Sequence, residues 1–131
     1  MSISAINLKY FKLEEFDSPD EPGSGSKMHP EFLEKLDYAR HNAGIPFKVN
    51  SGYRTYEWNL KVKGRVSSTH LHGVACDLAY KGSRERFLII QALLSVGINR
   101  IGIAQNFIHC DCSQLSNVSK NKDEDVIWLY N

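Results

Sequence analysis

The apolar residues of this chain change their period part-way along it, and that change restricts the fold more than any other feature of the sequence. From Pro30 to about residue 43, Phe32, Leu33, Leu36 and Ala39 recur at helical spacing, with Pro30 suited to a first turn and Gly44 to a stop. A second helix is predicted from an N-cap at Ser83 to a stop at Gly97, carrying Phe87, Leu88, Ile90, Leu93 and Leu94. Beyond Gly97 the pattern becomes three short β-rich runs, Arg100 to Ala104, Phe107 to Cys112 and Val126 to Tyr130. Helices early and in the middle, with strands mostly late, predict an α+β domain: a small antiparallel sheet with flanking helices.

Shorter elements fill the gaps. Phe47 and Val49 read as a strand running into the turn SGYRT, Tyr56 to Val62 as a helix with Asn59 and Leu60 facing inward, and Gly73 to Tyr80 as a strand. Ser18 to Ser26 (SPDEPGSGS) holds two Pro, two Gly and three Ser and reads as a loop.

With 131 residues, 42% of them hydrophobic, the chain fills one core over residues 1–131 and leaves no room for a second domain. A monomer is expected. Sixteen Lys and Arg against fifteen Asp and Glu leave a net charge of +1, so no bulk attraction to nucleic acid or to an anionic membrane is expected. The three cysteines are an odd number, and Cys110 and Cys112 point the same way on one predicted strand, which argues against a disulfide scaffold. The start, MSISAINLKYF, lacks the charged end and unbroken apolar stretch of a secretory signal, and nothing approaches the ~20 apolar residues of a membrane span. Synthesis as a soluble cytoplasmic chain is expected.

The chemistry concentrates in SSTHLHGVACDLAY, Ser67 to Tyr80, where His70 falls in a predicted loop and Asp77 in a predicted strand, with Gly73 between them to let the backbone turn. In FIHCD, a period of two puts His109 and Asp111 on one face. Two imidazoles and a carboxylate fill three positions of a tetrahedral zinc site and leave the fourth for water. Taken singly, such a histidine or aspartate more often fills a hydrogen-bonded, capping or surface role than a metal site. His29, at a helix start, and His41, near a helix end where an imidazolium meets the dipole, are assigned no chemistry. His72 suits either a substrate or supporting contact or a solvated loop.

Ser68, His70, Gly73, Ala75 and Asp77 match the S-x-H-x-x-G-x-A-x-D signature, and here the chain resembles the LAS zinc peptidases. That group contains D-Ala-D-Ala carboxypeptidases, peptidoglycan endopeptidases and the hedgehog signalling domain. VNSGYRT, with Asn59 after it, is similar to the family's S-G-[YF]-R segment, and RIGIAQNFIHCD to its closing strand with an H-x-D pair. The likeness runs from about Phe16 to Tyr130. It implies one zinc per chain held by His70, Asp77 and His109, and Arg54 as the cation that polarises the scissile carbonyl and stabilises the oxyanion. It further implies that Ser68 hydrogen-bonds substrate or the metal's surroundings and that Tyr53 and Asn59 support the site. Tyr53 and His72 are expected to touch substrate.

One position departs from the pattern. Several branches carry an acid three residues before the last histidine ligand; here it is Asn106, whose amide takes no proton. Asp111 then either holds the His109 imidazole or stands in as the base. The resemblance implies hydrolysis of peptide bonds in peptidoglycan stem peptides or cross-links, with a non-catalytic zinc-stabilised binding module on the same fold as the alternative. The missing leader suits a phage lysis enzyme, or an enzyme trimming muropeptides in the cytoplasm. Which bond is cut stays open.

Overall fold

The computed structural model describes residues 7–117 and 122–130; residues 1–6, read above against a secretory leader, lie outside the described residues. Helix α1 (Pro30–Ala43) starts with Pro30 in its first turn and the His29 ring accepting the Glu31 N–H at 3.2 Å, and it stops at Gly44. Phe32, Leu33, Leu36, Ala39 and Ala43 form its buried stripe. Helix α2 (Tyr56–Lys61) is one short turn and a half, capped by the Thr55 hydroxyl, which accepts the Trp58 N–H at 3.0 Å. Asn59 is buried as predicted, but Leu60 faces solvent, because so short a surface helix turns only one residue inward.

Helix α3 (Gly82–Ser95) begins two residues earlier than the sequence predicts. Lys81 is the N-cap and its N–H is satisfied by the Glu85 carboxylate at 2.9 Å, so Ser83 lies in the first turn rather than at the cap. Ile89, Ala92 and Leu93 are buried, while Phe87 and Leu94 remain exposed, since α1 and the sheet cover a single side of the helix.

Five strands form one sheet: β1 (Lys48–Ser51), β2 (Ala75–Ala79), β3 (Arg100–Ile103), β4 (Phe107–Asp111) and β5 (Val126–Leu129), in the order β1-β2-β4-β3-β5. The sheet is mostly antiparallel. This agrees with the predicted small antiparallel sheet; the one parallel pairing is that of β5 with β3. Strand β5 begins beside the start of β3, where the Val126 N–H donates to the Asn99 carbonyl at 3.0 Å. One face of the sheet carries Cys76, Leu78, Ile101, Ile108 and Cys110 into the core, against Phe32, Leu33 and Leu36 of α1 and Ile89 and Leu93 of α3. The three cysteines are buried and free. Among the described residues, no helix is long and apolar enough to cross a membrane.

The predicted loop at Ser18 to Ser26 is irregular but fastened. It contains a 3-10 turn (Ser24–Lys27), and Ser18 accepts the Thr55 N–H at 3.2 Å while donating its hydroxyl to Asp20, which also receives the Thr55 hydroxyl at 2.6 Å. Just before it, the Phe16 carbonyl accepts the Tyr53 N–H at 2.9 Å. Gly52 lies so close to this strap that a Cβ there would meet the Phe16 Cα at 2.7 Å. Gly52→Ala is therefore expected to destabilise the protein by about 1–3 kcal/mol, the usual cost of overpacking a closed contact. Chemical unfolding measures this; an unchanged midpoint would show that the strap yields.

Candidate metal centre

The face of the sheet turned away from α1 and α3 carries the polar residues, and register alone lines them up. Ser51, Asp77, His109, Gly102 and Trp128 lie opposite one another on the five neighbouring strands. Asp77 and His109 are thus direct cross-strand partners, and Asp77 Oδ1 meets His109 Nδ1 at 2.9 Å. His70 reaches the same point from a 3-10 turn (Thr69–His72) that Ser68 caps, its hydroxyl oxygen accepting the His70 N–H at 3.3 Å. Gly73, at φ +69°, reverses the chain from that turn into β2.

The second nitrogen of each ring is already committed. His70 Nδ1–H donates to the Gly52 carbonyl at 2.7 Å, which leaves Nε2 facing Asp77 Oδ1 at 3.2 Å. His109 Nε2–H donates to Asp111 Oδ2 at 2.7 Å, which leaves Nδ1 on the Asp77 side. One ligand atom from each of His70, Asp77 and His109 lies within 4.8 Å of the others, and all three residues are buried. Burial pushes the His70 imidazole below its usual range and toward neutrality, so its bare Nε2 lone pair confronts a carboxylate oxygen. A cation that both atoms can ligate resolves that confrontation. Two imidazole nitrogens and a carboxylate, each ring braced through its far nitrogen, are a donor set that fits zinc.

A family model described as peptidase M15 matches residues 9–111, most of the chain. The chain belongs to the peptidase M15 family. No curated protein matches it. M15 peptidases are zinc-dependent, and in this member the His70–Asp77–His109 cluster is the place that could hold the metal.

Around the three donors, this M15 chain arranges a shell of charge. Arg54 places Nη2 3.6 Å from Asp77 Oδ2, its Nε–H donates to Ser51 Oγ at 3.2 Å, and its Nη1–H donates to Asn59 Oδ1 at 3.2 Å. Asn59 in turn donates to the Arg65 carbonyl at 2.9 Å, so a buried amide aims the guanidinium. Burial lowers the Arg54 pKa and Asp77 pulls it back, and a guanidinium keeps its charge throughout. Asp111 is engaged at both oxygens. Oδ2 takes His109 and the Thr69 hydroxyl (3.2 Å), and Oδ1 takes the Arg100 Nε–H at 2.7 Å. Tyr53 packs partly against the core beneath Lys27, His72 is half-buried near Lys122, and Asn106 is exposed in the β3–β4 connection; none joins the ligand cluster.

Sequence reasoning passed over Gly52, Thr69, Arg100, Trp128 and Tyr130. The Trp128 and His109 rings lie with centroids 5.7 Å apart, and Arg100 Cζ stands 5.2 Å from the Trp128 ring centre while its guanidinium also reaches the Asp123 carbonyl. The β-rich run from Val126 to Tyr130 announced a strand, but only its register with β3 brings it to the site.

Without metal, the cluster holds a proton. Burial opposes charge on His109, but hydrogen bonds to Asp111 and Asp77 prevail and raise its pKa to about 9. Burial likewise opposes charge on Asp77, and above all its hydrogen bond with His109 holds it well below the usual carboxylate range. The signs follow from linkage. The raised His109 stabilises fully below 6.5 and loses that contribution as pH rises through about 9. The lowered His70 and Asp77 make stability fall as pH drops below 6.5 and then below 3.8. Chelator-treated protein is expected to be most stable near pH 6.5 and to lose thermal stability toward pH 9, a decline that zinc removes by displacing the proton; a flat melting profile over that range would contradict the arrangement. Asp111→Asn, which weakens the brace on His109, is expected to lower metal affinity roughly 10–100-fold in competition with a chelating dye.

Proposed function

We propose that this chain is a zinc-dependent peptidase that cuts peptide bonds in the stem peptides or cross-links of peptidoglycan, with one zinc per chain at His70, Asp77 and His109. The observation that carries the reading is a guanidinium, Arg54, fixed by Ser51 and Asn59 on the same sheet face as the three donors and 3.6 Å from Asp77. Zinc, when bound, supplies a Lewis acid that polarises a carbonyl and makes water acidic near neutral pH. The protein's own contribution is positioning. Gly52 and Asp111 fix the two rings, and Arg54 offers permanent charge and spare N–H donors to an oxygen that becomes anionic during acyl transfer. Asp111, occupied at both oxygens, suits the holding of His109 better than the taking of a proton from water. Ser68, Tyr53 and His72 are proposed to meet the substrate around this centre.

A second reading has one observation in its favour: Asn106 supplies no acid beside the last ligand. On that reading the fold binds zinc and cell wall without hydrolysis, and wall binding with no released peptide would identify it. Muropeptide digestion followed by mass spectrometry decides between them and names the bond; intact sacculi compared with free stem peptides separate a lysis enzyme from one acting on cytoplasmic muropeptides. Purified protein is expected to retain about one zinc per chain and His70→Ala to lose it. Arg54→Lys should keep the metal and lose roughly 100–1000-fold in kcat. Protein that retains no zinc, or a His70→Ala variant that retains all of it, overturns the proposal.

A further inference from the structure

The family match ends at Asp111, and β5 lies beyond it, yet β5 sits on the row of the metal donors. Gly102 stands between His109 on β4 and Trp128 on β5 in that row. Its missing side chain is what admits β5 so closely: a Cβ on Gly102 would lie 2.6 Å from the Trp128 indole and 2.7 Å from a Tyr130 ring carbon. Both rings therefore lean over the strand that neighbours His109. The Tyr130 N–H is pinned to the Ile103 carbonyl at 2.9 Å, and its ring is flanked by Phe107, with centroids 5.5 Å apart, and by Trp128 at 6.3 Å. Trp128 itself contacts both the His109 ring and the Arg100 guanidinium. Tyr130 nevertheless stays 46% exposed, a braced aromatic ring with an open face.

The charges that the Tyr130 phenol feels are those of the centre. Burial raises its pKa, a hydrogen bond with Trp128 opposes this, and Asp77, Asp111 and Arg54 all act on it. The phenol is thus a proton-bearing donor at neutral pH, standing at the β5 end of a row whose β1 end is occupied by Arg54.

We propose that Tyr130 is a substrate-contacting residue of the metal centre: its phenol, seated over Gly102 and braced by Trp128 and Phe107, walls the site on the β5 side and donates a hydrogen bond to a carbonyl or carboxylate oxygen of the bound peptide. The assignment rests on the peptidase reading above. Arg54 then grips the peptide from one end of the row and Tyr130 from the other, while Trp128 serves as the platform that positions Tyr130.

The test uses the full chain loaded with zinc and a synthetic stem pentapeptide ending in D-Ala-D-Ala. The chain has two tryptophans, at 58 and 128, so in a Trp58→Phe background Trp128 alone reports the site by its emission. Peptide is expected to shift that emission. Tyr130→Phe, which keeps the ring and removes the donor, should weaken peptide binding roughly tenfold, with a matching loss in kcat/KM on any peptide that is cut, and leave zinc content unchanged. Tyr38→Phe, on the exposed side of α1, should change none of these. Wild-type affinity and rate in Tyr130→Phe, or Trp128 emission that peptide does not move, overturns the assignment while the peptidase reading stands. A wild-type chain that neither binds nor cuts the pentapeptide nor any muropeptide overturns both.

Discussion

The Asp77 carboxylate is a negative charge placed in the middle of a sheet, only 8% exposed, and most of the polar architecture is arranged to answer it. An unpaired carboxylate in such a position costs several kcal/mol. Three groups from three parts of the chain meet it instead: His70 from a 3-10 turn, His109 from the adjacent strand and Arg54 from the turn after β1. Each arrives with a second anchor that holds it when Asp77 is otherwise engaged. A metal can therefore take over the two imidazoles without the surroundings having to move, because their outer nitrogens remain tied to Gly52 and Asp111.

The anchors reach outward through the whole fold. Gly52 owes its place to the Phe16 strap and the fastened loop that follows it, so the N-terminal third of the chain, which contributes no ligand, sets the position of His70. Asp111 owes its place to Arg100 and Thr69, and Arg100 to the residues around β5. The centre is thus supported from both ends of the sequence while its donors come from the middle.

What the sequence disclosed and what it withheld divide along a physical line. Helix α1 was legible because its signals are local: Pro30 at the start, a 3.6-residue apolar period and Gly44 at the stop. The gathering of His70, Asp77, His109 and Arg54 was legible because the motifs that contain them are short and ordered. Ser83 misled because a glutamate one turn on satisfies the Lys81 N–H instead, and Leu60 misled because apolar character does not say which side of a single surface turn is covered. The parallel placement of β5 and the service of Arg100, Gly102, Trp128 and Tyr130 depend on cross-strand register. No residue carries its register locally: the pairing of Arg100 with Asp111, or of Gly102 with Trp128, exists only once the strands have taken the order β1-β2-β4-β3-β5. The Ser18–Ser26 segment was legible as irregular, but its side-chain-to-backbone bonds leave no trace in composition.

The two histidines differ in how they can be damaged. The ring of His109 is oriented by a side chain, Asp111, which a single substitution can replace. The ring of His70 is oriented by a main-chain carbonyl, and no substitution deletes a carbonyl; only displacing the backbone at Gly52 releases it. Drift in a lineage that no longer needed activity would thus erode the His109 side first, through a graded series of weakened sites. The His70 side would fail late and abruptly, together with the packing against Phe16.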